Sequence, residues 1–291
     1  MTGDPVFNVK VASIQMEPRI GQKKENLARS LQMIEVAAAE GASLIVLPEL
    51  ANTGYNFSDR AEALALAEAV PDGESAQAWT AIAERLNIHL VAGITEQDGS
   101  RIFNSALVIG PQGLLGTYRK LHLWARERLV FEAGDLGLPV FDTPVGRIGV
   151  AICYDGWFPE VYRLLAMQGA DFVCVPTNWV PMAGEIRTGP SMANTLTMAG
   201  AHSNGLSIIC ANRIGTERGQ EFTGQSVIVA SNGFPVAGPA SRAEEEILYA
   251  VINLEQSRSG RDLNAFNHVL RDRRHDVYDP MLGTGWPPSP A

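Results

Sequence analysis

Apolar and polar positions alternate between two periods along the chain, and the switches between them lay out the elements. Val9-Lys10-Val11-Ala12-Ser13-Ile14 reads as a first strand, and residues 26–39 carry Leu27, Leu31, Ile34, Val36 and Ala37 near helical period. Ser43-Leu44-Ile45-Val46-Leu47-Pro48 is a continuous apolar strand that stops at its proline, with Glu49 directly after. A helix over 77–86 and a strand over 89–94 follow. Residues 102–109 and 114–118 flank Pro111-Gln112-Gly113, a turn signal that predicts a hairpin.

Residues 141–145 and 148–153 form another strand pair around Pro144 and Gly146. Phe158-Pro159-Glu160 opens a helix to Met167, with proline where a backbone N–H would be unpaired anyway. A strand over 171–175, a helix over 192–203 and a strand over 206–211 come next. Residues 225–230 pair with 234–237 across Ser231-Asn232-Gly233, and 247–252 is a late strand. Strands alternating with helices, with hairpins among them, predict layered α/β architecture with mixed sheets. No linker or repeat interrupts the pattern, so residues 1–291 are expected to form one domain. Its core spans about 8–278, and the tail 279–291 follows a basic segment from Arg271 and wraps a surface or another subunit.

Composition narrows the function. With 46% apolar and 19% charged residues the chain is globular, and 23 Lys plus Arg against 32 acids leave a net charge of −9. Broad nucleic-acid binding needs the opposite sign, so a small-molecule task is expected. The stretches 188–212 and 222–241 lack any charged residue, yet their Gly, Ser and Asn make them too polar to cross a membrane. They read as buried segments or a subunit contact. Cys153, Cys174 and Cys210 form an odd, widely spaced set, and Met1-Thr2-Gly3-Asp4-Pro5 has no basic segment leading into an apolar core. Free thiols in a cytoplasmic protein are expected.

Three polar residues stand at the carboxyl edges of apolar strands, where open α/β sheets build their sites: Glu49, Lys120 and Cys153. Cys153 ends its strand just before a helix, a placement expected to lower the thiol pKa through the helix's positive end. Taken alone, it is equally well a small buried hydrophobe. None of the five histidines sits in a motif with it, so Glu49, desolvated at a sheet mouth, is the available base. Lys120 is either a solvated strand end or a fixed charge aimed at a developing oxyanion.

These residues lie in recognisable motifs. Leu47-Pro48-Glu49-Leu50 with Thr53-Gly54-Tyr55, Tyr118-Arg119-Lys120-Leu121-His122-Leu123, and Ile152-Cys153-Tyr154-Asp155 with Phe158-Pro159-Glu160 resemble the nitrilase superfamily of carbon–nitrogen hydrolases. Pro176-Thr177-Asn178-Trp179, Ala211-Asn212-Arg213 and Asp272-Arg273-Arg274 extend the resemblance over residues 8–278. It implies an α-β-β-α sandwich with mixed sheets that pairs with a second copy into four-layer-forming stacks, hence a homodimer or higher homo-oligomer. It also implies catalytic Glu49, Lys120 and Cys153, and a further glutamate soon after the lysine. Glu127 fits that place better than its neighbour Glu132. By the same resemblance the Tyr154 backbone N–H helps to hold the oxyanion, and Tyr55, Trp124, Tyr154, Trp157, Asn178 and Trp179 line a partly aromatic substrate pocket.

Tyr154-Asp155 stands where true nitrilases usually carry Trp-Glu, which resembles the amidase and carbamoyl-amide branches. Those branches often carry Arg and Glu in the helix before the 206–211 strand, where this chain has Gly200 and Ser203 and keeps only Asn204. The expected activity is amidase: a small aliphatic or arylalkyl carboxamide becomes the acid and ammonia, with no cofactor or metal. Nitrilase and N-carbamoyl-amide hydrolase are the alternatives, and a non-catalytic binding protein on the same fold is the rival from another class. Neither His-x-His, His-Glu-x-x-His nor a Gly-rich phosphate loop occurs.

Overall fold

β-branched runs pair edge to edge, and their two-residue side-chain period decides which face meets which layer. The computed structural model describes residues 8–185 and 188–282, with side chains to residue 278. The first strands are β1 (Asn8–Gln15), β2 (Leu44–Val46), β3 (Glu68–Ala69), β4 (His89–Asp98), β5 (Arg101–Gly110) and β6 (Gly113–Arg119). Between them lie the helices α1 (Lys23–Ala39), α2 (Arg60–Leu66) and α3 (Glu74–Leu86). A second series follows with β7 (Val140–Thr143), β8 (Gly146–Val150), β9 (Phe172–Pro176), β10 (Ser207–Ala211), the small hairpin β11 (Thr216–Glu217) and β12 (Gln220–Glu221), β13 (Val227–Val229) and β14 (Pro235–Ala237). α4 (Pro159–Met167) and α5 (Met192–Asn204) are its helices; β15 (Glu246–Asn253), α6 (Leu254–Ser259) and α7 (His275–Leu282) close the chain.

The first sheet runs β15-β1-β2-β4-β5-β6, with β3 beside β4, and the second runs β14-β13-β10-β9-β8-β7. Both are mixed. β1, β2 and β4 are parallel, as are β8, β9 and β10, while hairpins and β15 add antiparallel edges. Alternation sorts the side chains: Ala12, Ile14, Leu90, Ala92, Leu107 and Ile109 pack against Ile34, Trp79 and Ala83 of α1 and α3. The intervening Val11, Leu44, Val46, Val91 and Val108 join a core with the second sheet, which Val161, Leu165, Ala193 and Ala201 of α4 and α5 extend. The layers are therefore α-β-β-α. Ser13 Oγ donates to Cys210 O across the two sheets at 2.7 Å. No described helix is long and apolar enough to cross a membrane.

One expectation needs correction, and several elements come in addition. The strand before Cys153 stops at Val150, because the Asp155 carboxylate takes the Ile152 N–H at 2.9 Å and the chain turns into a 3-10 segment, Cys153–Trp157. α2, β3, the β11–β12 hairpin, α6 and α7 are additional elements. α2 and β3 fall inside the 49–76 interval left without structure, although Asp59 caps the Glu62 N–H at 2.9 Å in a recognisable helix start. The basic segment from Arg271 is partly helical; the tail 279–291 lies outside the described side chains.

Candidate active site

The carboxyl ends of β2, β6, β8 and β9 lie at one edge of the sandwich, and each delivers one part of the site. Past β2 the backbone enters the left-handed region at Leu50 (φ 49°) and folds Glu49 across β4. Gly93 makes this crossing possible: a Cβ there would contact Pro48 O and lie 2.6 Å from the Glu49 Cα and 2.7 Å from the Leu50 N. Real side chains do not tolerate such an approach to backbone. Gly93→Ala is expected to displace Glu49 and lower kcat about 100-fold, the scale of an ångström's misplacement. Steady-state kinetics with a melting curve checks it; an unchanged kcat would mean that β4 yields instead.

At the end of β6, alternation places Tyr118 and Lys120 on the inner face and Arg119 on the outer one. Arg119 Nη1 donates to Asp135 at 2.9 Å and its Nε to Glu96 at 3.0 Å. Lys120 Nζ is completely buried and donates to Glu49 Oε1 at 2.6 Å and to Glu127 Oε1 at 2.7 Å. Asn104 Nδ2, on β5, donates to the same Glu49 oxygen at 2.6 Å, which leaves Glu49 Oε2 buried with no partner. Glu132 is elsewhere, on Arg60 at 2.8 Å and the Ile102 N–H at 3.0 Å, so contact with the lysine falls to Glu127. Asn104 is a site residue that motif reading missed. Its signal was a polar side chain amid the apolar run Ile102 to Ile109.

Cys153 sits in the left-handed region (φ 46°) and opens the 3-10 segment, 8% exposed. The fully buried Asp155 locks this turn to the lysine segment. It accepts from Tyr118 Oη at 2.7 Å, from the His122 N–H at 3.0 Å and from the Ile152 N–H at 2.9 Å, and His122 Nδ1 lies 2.8 Å away. Residues on both sides of Lys120 are thereby tied to those on both sides of Cys153.

Electrostatics follow from burial. Desolvation lifts Glu49 to about 7, and the Glu127 charge adds to it against the pull of Lys120 and Asn104. Burial alone would discharge Lys120, but Glu127 and Glu49 outweigh it and hold the ammonium above its ordinary value. The thiol does not behave as a residue at a helix N-terminus. Burial first, and then the Glu49 charge, push Cys153 well above the ordinary thiol range, while Lys120 pulls it down. The expected lowering fails because α4 begins only at Pro159 and desolvation dominates. One lysine cannot fully offset two carboxylates, so a carboxyl group titrates near neutrality, as a property of the cluster.

The thiol opens on a cavity of about 20 Å³ lined by Trp124, Tyr154, Trp157, Asn178 and Trp179, with Val180 and Met182. Trp124 and Val180 also wall an adjoining cavity of about 90 Å³, beside Tyr55 and Glu127. Two of the expected pocket residues do more than line it. Tyr55 Oη donates to Glu127 Oε1 at 2.6 Å, and Asn178 Nδ2 donates to Glu49 O at 3.0 Å while its buried Oδ1 has no partner. Trp179 Nε1 is likewise buried and unpaired. Gly200 and Ser203 are outside this pocket. A Cβ on Gly200 would lie 2.6 Å from the Tyr162 ring, so glycine is what lets α5 approach α4, and Ser203 Oγ bonds its own helix at Ala199 O, 2.7 Å. Among the described residues no cluster of His, Cys, Asp and Glu has the geometry to hold a metal ion.

Comparison with known proteins bears on the family and the fold. The sequence model of the carbon–nitrogen hydrolase family matches residues 10–262. A protein of Pyrococcus abyssi named nitrilase is 41% identical over 274 residues, which cover 93% of this chain and 99% of that one. The crystal structure of a carbon–nitrogen hydrolase from Helicobacter pylori G27 superposes with a TM-score of 0.85 at 28% identity, covering 97% of this chain and all of the other. A mutant of the amidase from Nesterenkonia sp. AN1, in which acrylamide has added to the active-site cysteine, gives a TM-score of 0.75 at 25% identity over 94% and 99% of the two chains.

Proposed function

The chain belongs to the nitrilase superfamily of carbon–nitrogen hydrolases, and from that premise we propose that it is an amidase that converts a small carboxamide to its acid and ammonia through a Cys153 thioester. One observation carries this reading: a fully buried ammonium bridges two carboxylates at 2.6 and 2.7 Å, beside a buried thiol that feels the charge of all three. Such a cluster is costly to bury unless it performs work, which speaks against a non-catalytic role.

Glu49 Oε2 takes the thiol proton as sulfur attacks the carbonyl carbon. The C=O π electrons move to oxygen, and the oxyanion is held by the Lys120 ammonium and the Tyr154 backbone N–H, which lies in the first turn of the 3-10 segment and needs no partner within it. Each such donor contributes about 3 kcal/mol to lowering the barrier. Glu49 returns the proton to nitrogen, the C–N bond breaks and ammonia leaves. Glu49 then deprotonates a water that attacks the thioester, and collapse releases the acid and restores the thiol. A carboxyl group titrating near 7 suits both halves of this cycle. Lys120 stays charged throughout, and Glu127 fixes its direction.

The pocket sets the substrate class. The cavity at the thiol holds about one water-sized group, room for the oxygen or nitrogen of a carboxamide, and the adjoining one takes a short acyl chain. Among the described residues, charge on the adjoining wall is confined to Glu127, already on Lys120, and to Arg126, which is exposed and donates to Ser58 O at 3.1 Å. An ammonium buried on the acyl chain would go uncompensated, whereas a carboxylate could meet the Arg126 guanidinium. Neutral aliphatic and arylalkyl amides are therefore expected to exceed cationic amides by about 100-fold in kcat/KM. The nitrilase reading has its own support in the Pyrococcus relative, at 41% identity. Ammonia release from a panel of amides, nitriles and N-carbamoyl amino acids decides; nitriles outrunning their matching amides would reverse the assignment.

A further inference from the structure

Glu217 ends β11, on a hairpin that belongs to neither main sheet. It is 5% exposed, and a carboxylate buried to that extent must have its oxygens occupied. Its Oε2 accepts the backbone N–H of Tyr55 at 2.9 Å and of Asn56 at 2.6 Å, and its Oε1 accepts from Arg213 Nη1 at 3.2 Å. Arg213 is 1% exposed, with its guanidinium 4.1 Å from the centre of the Phe222 ring. Tyr55 packs edge-on to the same ring at 5.8 Å. Gly54 keeps the approach open, since a Cβ there would lie 2.6 Å from Glu217 Oε1. Arg218, the next residue, donates to Asn56 O at 3.0 Å and pairs with Glu62 at 2.7 Å, so the hairpin grips the 54–62 loop from two sides.

The far end of Tyr55 is equally constrained. Its hydroxyl donates to Glu127 Oε1 at 2.6 Å, the oxygen that also receives Lys120 Nζ at 2.7 Å. We propose that Glu217 is a positioning residue for the Lys120 ammonium: paired with Arg213, it fixes the Tyr55 backbone, Tyr55 fixes Glu127, and Glu127 aims the lysine. The inference rests on the catalytic reading above. It gives the buried Arg213–Glu217 pair a function beyond stability, although the residues are some 160 positions from the tyrosine they hold. Two successive amides on one charged oxygen fix the two peptide planes that flank Tyr55 more tightly than a single neutral bond would. Without them, Tyr55 would turn about its backbone and its hydroxyl would leave Glu127.

A double-mutant cycle tests this. Glu217→Ala and Tyr55→Phe are each expected to lower kcat about 30-fold with KM changed less than about 3-fold, as for small misplacements of a catalytic group. The double variant is expected to be no slower than the slower single, because both changes break the same chain. Glu217→Gln, whose amide oxygen still accepts from both N–H groups, is expected to recover most of the loss. Since Lys120 pulls Glu49 down, a relaxed lysine also moves the acid limb of the pH profile upward from about 7, equally in both single variants. If Glu217→Ala does not fold, Glu217→Met, of similar length but with no oxygen to accept from the two N–H groups, takes its place in the cycle with Tyr55→Phe. Multiplicative losses, an unmoved acid limb or a loss confined to KM would overturn the proposal. Should the cycle prove multiplicative while Cys153→Ala is inactive, only the positioning role falls. An active Cys153→Ala protein removes the catalytic reading itself.

Discussion

Replacing Cys153 by alanine is expected to lower amide turnover by about 10⁵-fold or more, the scale seen when a covalent nucleophile is deleted. The fold is expected to survive. The side chain is 8% exposed and its thiol, pushed up by burial and by Glu49, rests neutral, so the change removes one small apolar group and no charge. The left-handed backbone at this residue strains cysteine and alanine alike. A loss of about 1 kcal/mol in stability is expected, a modest case of a buried large-to-small change. Ammonia release, with circular dichroism and a melting curve, measures both sides. Iodoacetamide adds a second readout: one equivalent reacts with the wild type and none with the variant, since Cys174 and Cys210 are 0% exposed inside β9 and β10. Turnover in the variant near the wild-type rate would falsify the thioester mechanism.

How much of this is readable in the sequence depends on whether a feature is local. The strands came through because each of β1, β2, β4, β5 and β6 is a run of apolar and β-branched residues bounded by turn signals. That Glu49 and Lys120 lie at strand ends follows from the same runs. What did not come through is set by partners distant in sequence. Nothing near Gly93 says that Glu49 will cross over it, because the reason is a backbone approach from residues 48–50. Asn104 and Asp155 are polar residues whose partners lie 55 and 37 positions away, at Glu49 and Tyr118. Glu217 lies six residues past the apolar run that ends at Ala211, in a hairpin whose strands have two residues each, too short for periodicity to register. The thiol pKa departs from expectation for a related reason: the turn after Cys153 is legible in the sequence, the depth of its burial is not.

The same buried geometry makes Glu49 the second decisive position. Glu49→Gln keeps an oxygen to accept from Lys120 and Asn104 and is nearly the same size, so it isolates the loss of a proton acceptor from the loss of shape. Turnover is expected to fall about 10³- to 10⁴-fold, the range for removing a general acid–base that serves several steps. In the wild type kcat/KM rises with pH through about 7 as the cluster loses its proton; in the variant that limb disappears. The thiol moves the opposite way to activity. Because the Glu49 charge pushes Cys153 up, its removal beside Lys120 lowers the thiol pKa, and thiolate absorbance is expected at lower pH in the dead variant than in the active enzyme. Stability carries a further sign. Glu49 titrates higher in the fold than in the unfolded chain, so its contribution is greatest at acid pH and is lost as pH rises through about 7. Glutamine, neutral throughout, escapes that loss, and the melting temperature of the variant relative to wild type is expected to rise between about pH 5 and pH 8. A variant slower in turnover, more acidic at its thiol and relatively more stable in base is what a carboxylate kept buried for its chemistry predicts. If instead the acid limb persists near 7 in Glu49→Gln, the titrating base is another group and the proton path drawn through Oε2 is wrong.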